Sequence, residues 1–189
     1  MKNTLELRYD GDKFYPLSGR DSTKEKGNIV NVTLSAVGPA DLKLRHRLSD
    51  TKRRKLQDEA SKMFRERVST QMIPRLRAFR PDIIFVSAGF DAHHRDFYHF
   101  LTTDDYRWIT TQLCDVANEF SEGRLISVLE GGYQTKPPVP KQLRKTHGTR
   151  NRKAKVVDEV KEEKNAQLSP LAECVEAHVK AILESNEKC

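Results

Sequence analysis

The sequence predicts an α/β fold in which a doubly wound, mainly parallel sheet is flanked by helices. Two continuous apolar runs, at 82–89 and 124–129, are typical of strands that are covered on both faces. Segments with apolar residues about every 3.6 positions lie before, between and after these runs. Because strands alternate with helices, a parallel sheet is favoured, and its chemistry is expected at the carboxyl ends of the strands.

Four strands are predicted along the chain. The first, Thr4–Tyr9, alternates only partly between apolar and polar residues. The second, Asn28–Leu34, is rich in β-branched side chains and lies between glycines. The third and fourth are the two apolar runs, and the fourth ends shortly before the glycine pair Gly131-Gly132.

Three helical segments are predicted. The first extends from Lys55 to Phe79, and Pro74 is expected to kink or restart it because proline lacks a backbone N–H. The second begins at Thr102, whose hydroxyl three residues before an acid resembles a capping box. The third begins at Ser169-Pro170, an N-cap followed by proline at the first helical position. One face of this last helix is predicted to be apolar and inward-facing: Leu171, Cys174, Val175, His178, Val179, Ile182 and Leu183.

Charge is distributed unevenly over the 189 residues, which carry a formal net charge of +7. A charged stretch at about 41–54 and a longer stretch at 134–167 lie outside the alternation of strands and helices. The longer stretch contains a basic run, 136–155, without an acidic residue, and is predicted to be a disordered insertion. The basic cluster Lys52-Arg53-Arg54-Lys55 and the basic run 136–155 are both read either as solvated loops or as nuclear-import or polyanion-binding patches.

The cysteines and the hydropathy exclude several classes of protein. The three cysteines are far apart, which argues against a disulfide framework and a thiolate zinc knuckle, and Cys114 and Cys174 are predicted to be core thiols. No apolar run approaches the roughly 20 residues that span a bilayer. The first residues lack the apolar segment of a signal peptide. We therefore expect a soluble, intracellular protein that does not enter a membrane.

Polar side chains at the carboxyl ends of the two apolar strands are candidates for chemistry. Asp91, His93 and His94 follow the third strand, and carboxylates and imidazoles are both good zinc ligands. The alternative is that Asp91 only accepts backbone N–H groups in a tight loop. After the fourth strand, Gly131-Gly132 permits a close backbone approach, and Tyr133 can direct its hydroxyl at a developing oxyanion. The alternative there is an ordinary glycine turn with a packed aromatic side chain.

Two long motifs resemble the last two strand-loop units of the histone deacetylase family, of the zinc-dependent, class II-like kind. They read S-A-G-F-D-A-H at Ser87–His93 and L-E-G-G-Y at Leu129–Tyr133, with an L-T helix start at Leu101-Thr102 between them. The resemblance implies a partial arginase/deacetylase fold whose N-terminal strands are absent. It also implies that 1–133 is the C-terminal part of the deacetylase domain, that 134–167 is an insertion, and that 168–189 is the final helix.

The resemblance also implies roles for the loop residues. Asp91 matches an aspartate that is one of three protein ligands of the catalytic zinc, and Tyr133 matches the catalytic tyrosine that hydrogen-bonds the acetyl carbonyl. Gly131 and Gly132 match the glycines that keep this loop close to the substrate. The implied reaction is hydrolysis of acetyl-lysine, in histones or other proteins, by a zinc-bound water.

The sequence departs from the family pattern in several places. The D-x-H motif that supplies two further zinc ligands is missing, as is the histidine pair that supplies the general base, so the isolated chain is expected to be inactive. His93 is predicted to be structural and His94 to lie in an exposed loop. Phe97 and Tyr98 replace smaller residues at the pocket rim. Leu5-Glu6-Leu7 replaces an S-L-H segment, which argues against a bound potassium ion.

Two further readings of the function stay open. The chain is either a deacetylase-like protein without catalysis, acting through complex subunits, or a basic protein that binds nucleic acid through 136–155. The expected location is the nucleus, the cytoplasm or both.

Overall fold

The structure is a computed structural model that describes residues 4–9, 29–35, 37–39, 44–45, 47–96, 99–137 and 167–187. Four strands and four α-helices are described: β1 (Thr4–Tyr9), β2 (Ile29–Leu34), α1 (Asp50–Arg67), α2 (Ile73–Phe79), β3 (Ile84–Gly89), α3 (Thr103–Phe120), β4 (Leu125–Gly131) and α4 (Pro170–Asn186). A π-helical turn, Val68–Met72, joins α1 to α2.

The strands pair in parallel, as the alternation of strands and helices predicts. β1 pairs with β2, and β3 pairs with β4. Among the described residues these are two separate two-stranded sheets. The parallel strands with flanking helices confirm the predicted α/β fold class.

The break predicted at Pro74 is confirmed. The α-helical ladder of α1 ends at Arg67, passes through one π-helical turn, and resumes in α2 with Pro74 in its first turn. Because proline has no N–H and its ring crowds the carbonyl four residues earlier, the ladder shifts just before it. Arg80 then ends α2 in the left-handed conformation, with φ of 53°.

The charged stretch at about 41–54 is partly helical and partly buried. Ser49 caps α1, which begins at Asp50, and Lys52 and Arg54 are exposed on this helix rather than in a loop. Arg45, which lies in this stretch but outside its basic cluster, is only 3% exposed. Its guanidinium donates to backbone carbonyls and stacks on an aromatic ring, which satisfies the buried charge. Most of the predicted insertion at 134–167 lies outside the described residues.

The capping box predicted at the start of α3 is confirmed. The backbone N–H and the hydroxyl of Thr102 both donate to Asp105 Oδ2, at 2.9 and 2.8 Å. Asp105 is fully buried and also accepts from Ser61 Oγ at 2.6 Å and Arg65 Nε at 2.8 Å. One carboxylate therefore both begins α3 and joins it to α1.

Buried polar side chains join α4 to α3 and β4. His178 Nδ1 lies 2.7 Å from Thr110 Oγ1, and His178 Nε2 lies 2.8 Å from Ser127 Oγ. Because Thr110 donates its hydroxyl hydrogen to the Tyr106 carbonyl, His178 donates from Nδ1 and accepts from Ser127 at Nε2. Burial lowers the pKa of His178, in agreement with a neutral ring.

The buried face of α4 differs from the predicted apolar face. Val179 and Leu183 are exposed, which corrects the prediction that they point inward. The buried stripe instead includes polar residues whose hydrogen bonds are made internally. Its members are Pro170, Cys174, His178, Ala181 and Ser185. Cys174 is a buried free thiol, as is Cys114 of α3, which confirms the prediction of core thiols.

Only one face of the β3–β4 sheet is covered within the described part of the chain. Ile84 and Ala88 belong to the core on the covered face. On the other face Phe85, Ile126 and Val128 are 69%, 46% and 57% exposed. The apolar runs predicted cover on both faces. Among the described residues the second face of this sheet is not covered, because the described helices pack against the first face alone.

Candidate functional site

The loop that follows β3 is held in shape by backbone hydrogen bonds. The His93 N–H donates to the Phe90 carbonyl at 3.3 Å, and the Asp96 N–H donates to the His93 carbonyl at 2.7 Å. Leu101 makes two further backbone hydrogen bonds with the same loop. Its N–H donates to the Ala92 carbonyl at 3.1 Å, and its carbonyl accepts from the His94 N–H at 2.8 Å. Asp91 therefore stands in an ordered turn at the carboxyl end of its strand.

The loop that follows β4 lies directly beside it. The register shifts after Ala88, so that Gly89 pairs with Gly131 rather than with Glu130. Glu130 is therefore the extra residue of a bulge. The Phe90 N–H donates to the Gly131 carbonyl at 2.9 Å, which joins the two loops through their backbones.

Asp91 is packed against a glycine of the β4 loop. A Cβ atom added to Gly131 would lie 3.3 Å from both Asp91 Cγ and Asp91 Oδ1, and 3.3 Å from the Gly89 Cα. A Cβ atom at Gly89 would lie 3.2 Å from the same carboxylate oxygen. Since most real Cβ contacts are longer, glycine at these positions is what permits the carboxylate and the second loop to approach.

The surroundings of Asp91 disfavour an isolated negative charge. Burial raises the pKa of this carboxyl, a backbone hydrogen bond at Asp91 opposes that effect, and the nearby Asp96 raises the pKa further. A cation bound at this carboxylate would reverse the penalty, because an opposite charge favours the ionised form.

The Tyr133 side chain is exposed although its backbone is anchored. Tyr133 as a whole is 56% exposed, while its backbone N–H donates to Asp96 Oδ2 at 2.7 Å. Gly132, just before it, has φ of 121°, a conformation that side chains rarely adopt. An anchored backbone with an accessible side chain is suited to contact with a ligand. The contact through Asp96 gave no recognisable signal in the sequence.

The N-terminus of α4 closes this loop from the other side. The Leu171 N–H donates to the Gln134 carbonyl at 3.2 Å, and the Leu171 side chain fills the space beside Gly132. Arg95 in the β3 loop forms an ion pair with Glu173 of α4. The final helix therefore contacts both loops at once.

The surroundings of the neighbouring side chains His93 and His94 favour the neutral form of both. His93 is 1% exposed, and burial is the largest cause that lowers its pKa to about 3. His94, predicted to lie in an exposed loop, is instead partly buried, and burial with nearby arginines lowers its pKa to about 4. Their rings lie 4.3 Å apart, so protonating both would place two charges in contact.

A comparison with protein families shows which family the chain belongs to. The model of the histone deacetylase domain matches residues 4–146. The chain belongs to the histone deacetylase family. Type-2 histone deacetylase 2 of Dictyostelium discoideum is 30% identical over 192 residues, which cover 97% of this chain and 8% of that protein. The histone deacetylase-like amidohydrolase of Pseudomonas aeruginosa is 41% identical over 64 residues, which cover 33% of this chain and 17% of that protein.

A solved structure shares the fold. The crystal structure of the HDA15 HD domain superposes with a TM-score of 0.55 at 22% identity, covering 96% of this chain and 37% of that one. This likeness concerns the fold alone. This chain spans much less than the full length of the histone deacetylase relatives and of the solved structure that it matches.

The histone deacetylase motifs place Asp91, Gly131, Gly132 and Tyr133 in the two contacting loops. Their roles in catalysis and metal binding stay predictions. The predicted rim residues Phe97 and Tyr98 lie outside the described residues.

The described residues do not assemble a complete metal site. Among them, no group of three or more His, Cys, Asp or Glu side chains is arranged to hold a metal ion. Asp91 fits a single ligand position, because its half-buried carboxylate stands at the loop junction. Over the same residues, no helix has the length and apolar character that crossing a membrane requires.

Proposed function

We propose that this chain forms the part of a zinc-dependent protein lysine deacetylase that carries one metal ligand and the catalytic tyrosine. The observation that carries the proposal is the contact between the two strand-end loops. Asp91 packs against Gly131, two residues before Tyr133. The match to the histone deacetylase domain and the names of the relatives support this reaction class.

Each loop has a separate task in the proposed reaction. The Asp91 carboxylate would hold the metal, which would supply Lewis-acid chemistry toward the acetyl carbonyl and water. The Tyr133 hydroxyl donates a hydrogen bond to the carbonyl oxygen as that oxygen gains negative charge. Gly131 keeps the second loop close to Asp91, because any side chain there would meet the carboxylate. The remaining ligands and the general base come from residues outside this set.

The proposed substrate is an acetylated lysine in a histone or another protein. The proposed location is the nucleus, the cytoplasm or both. The basic run at 136–155 supports a weak interaction with a polyanion, and Lys136 at its start is exposed.

The experiment measures zinc and turnover in the same preparation. The tagged chain is recovered with its bound partners from cells that express it, and zinc content and hydrolysis of an acetyl-lysine peptide are measured. We expect zinc-dependent hydrolysis by the assembled protein. Tyr133→Phe is expected to lower the rate about 100- to 1000-fold with zinc retained, as loss of one oxyanion donor typically does. Asp91→Asn is expected to lower the zinc content.

Tyr106→Phe is a matched control for the loss of a phenol hydroxyl. Tyr106 is buried, and among the described residues its hydroxyl has no hydrogen-bond partner. The change should leave hydrolysis and zinc content unaltered. Absence of hydrolysis from every preparation of the assembled protein would contradict the proposed reaction. Stoichiometric zinc with full turnover from the chain alone would contradict the incomplete ligand set.

A second candidate is a deacetylase-like interaction protein without catalysis. The observation that favours it is the exposed apolar face of the β3–β4 sheet, formed by Phe85, Ile126 and Val128. Exposed apolar patches mark sites of protein association. A partner recovered in constant proportion, with zinc and hydrolysis both absent, would favour this candidate.

A further inference from the structure

One carboxylate holds two consecutive amides of the loop that carries Tyr133. Asp96 is 3% exposed, and its Oδ2 atom accepts the N–H of Tyr133 at 2.7 Å and the N–H of Gln134 at 3.2 Å. Within the described part of the chain, the other carboxylate oxygen, Oδ1, is buried and has no hydrogen-bond partner. The described hydrogen bonds of this carboxylate are therefore directed to the Tyr133 loop.

The backbone of Asp96 is held by a hydrogen bond at its N–H and another at its carbonyl. Its N–H donates to the His93 carbonyl at 2.7 Å. Its carbonyl accepts from Arg45 Nη1 at 3.0 Å, and Arg45 Nη2 donates to the His99 carbonyl at 2.6 Å. Arg45 thus bridges the ends of the segment that follows Asp96. A buried guanidinium and a backbone turn together hold the Asp96 backbone from which the carboxylate projects.

The Tyr133 loop needs such an external contact. Its first two residues are glycines, which have many accessible backbone conformations and no side chain to pack. The Gly131 carbonyl is bonded to the Phe90 amide, and the Gln134 carbonyl accepts from the Leu171 amide. Neither bond orients the peptide between Gly132 and Tyr133, which determines where the tyrosine ring points.

We propose that Asp96 is a positioning residue for Tyr133. Its carboxylate orients the Gly132–Tyr133 peptide and so sets the position of the phenol relative to Asp91, which lies in the same β3 loop. The loop that carries the metal ligand therefore also holds the loop that carries the phenol. The proposal rests on the proposed function only for the claim that this phenol contacts the substrate.

Amide hydrogen exchange, followed residue by residue by NMR on the full chain, tests the contact directly. Asp96→Ala should speed exchange of the Tyr133 and Gln134 amides by about 100-fold, because a charge-assisted hydrogen bond is lost from each. Asp96→Asn keeps one carbonyl oxygen as an acceptor and should restore part of the protection, leaving about a 10-fold increase.

Two control variants separate this local effect from charge and from global stability. Asp115→Asn makes the same charge change at an exposed site of α3 and should leave both amides unchanged. Asp105→Asn weakens a buried carboxylate that does not contact the loop, so any faster exchange should extend across α1 and α3. If Asp96→Ala prevents folding, the comparison of Asp96→Asn with Asp105→Asn decides the outcome.

The proposal is overturned if the Tyr133 and Gln134 amides stay protected in the Asp96 variants. It is also overturned if they are no more affected than the amides of β3. In the assembled deacetylase, Asp96→Asn should lower kcat while KM changes little, whereas Asp115→Asn should change neither. Because amide exchange requires neither zinc nor turnover, failure of the deacetylase assignment would leave the exchange test intact.

Discussion

Replacement of Asp105 by alanine is expected to lower the free energy of unfolding by about 3 kcal/mol. The carboxylate is fully buried and accepts four hydrogen bonds, from Ser61, Arg65, and the amide and hydroxyl of Thr102. Loss of the capping box alone costs about 1 kcal/mol. The hydroxyl groups of Ser61 and Thr102, which would lose their acceptor, add about 2 kcal/mol.

The contribution of Arg65 to this total is small. Its side chain is 40% exposed, so its guanidinium can turn to water when the carboxylate is removed. A loss of about 3 kcal/mol lowers the ratio of folded to unfolded protein roughly 150-fold. Asp105→Asn keeps one acceptor oxygen but places its amide N–H groups next to the donors that the carboxylate bound. Its free energy of unfolding should therefore lie between those of the wild type and of Asp105→Ala.

Urea unfolding followed by far-UV circular dichroism measures this difference. Asp104→Ala is the matched control, because Asp104 is exposed in the same first turn of α3 and its loss removes only an interaction with the helix dipole. That change should cost about 0.5 kcal/mol. If Asp105→Ala and Asp104→Ala unfold at the same urea concentration, the buried carboxylate does not join α1 to α3 in the way the hydrogen bonds suggest.

Two further predictions concern the Tyr133 loop and acid stability. Gly132→Ala should cost about 2 kcal/mol, because φ is 121° and the added Cβ would lie 2.6 Å from Leu171 Cδ1; an unchanged melting temperature would argue against it. Acidification below about pH 6.5 should destabilise the fold, because burial lowers the pKa of His178, His93 and His94 and the unfolded chain binds more protons. His178→Gln should reduce the slope of unfolding free energy against pH without abolishing it, and an unaltered slope would count against His178.

Signals at the ends of elements predicted the fold most accurately. Thr102 with Asp105, Ser169 with the following proline, and Pro74 each specify a local hydrogen-bonding pattern, and the structure contains all three features. Such signals act between residues close in sequence, so no knowledge of the tertiary structure is needed to recognise them. The two apolar strands were recognisable from their continuous apolar runs, which Pro81 and Gly89 bound in β3 and Gly123 and Gly131 bound in β4.

Contacts between distant residues were not predictable in the same way. Arg45 is surrounded by charged residues in sequence, yet it is buried against carbonyls more than 50 positions away. His178 lies in the buried stripe of α4 because Thr110 and Ser127 accept and donate at its two nitrogens, whereas the apolar Leu183 is exposed. Hydrophobic periodicity identifies which residues prefer burial, but not which polar groups find partners.

The candidate site shows the same division. The motifs predicted that Asp91 and Tyr133 lie in neighbouring loops, and the parallel pairing of β3 with β4 explains why these loops meet. Asp96 carried no such signal, because an aspartate in a loop reveals nothing about which amides it will accept. Its proposed role rests on a contact across 37 residues, in which the Tyr133 amide donates to the carboxylate.

The two loops are held together by contacts internal to this chain, while the sheet beneath them is not fully covered. The bonds from Phe90 to Gly131 and from Tyr133 to Asp96 join the two loops directly. Phe85 and Ile126, on the same strands, leave an apolar face in contact with water, which disfavours the isolated chain. The geometry between the proposed ligand and the proposed phenol is therefore a local property of these residues. The proposed zinc site, in contrast, would need further ligands, since a zinc site draws its ligands from separate segments.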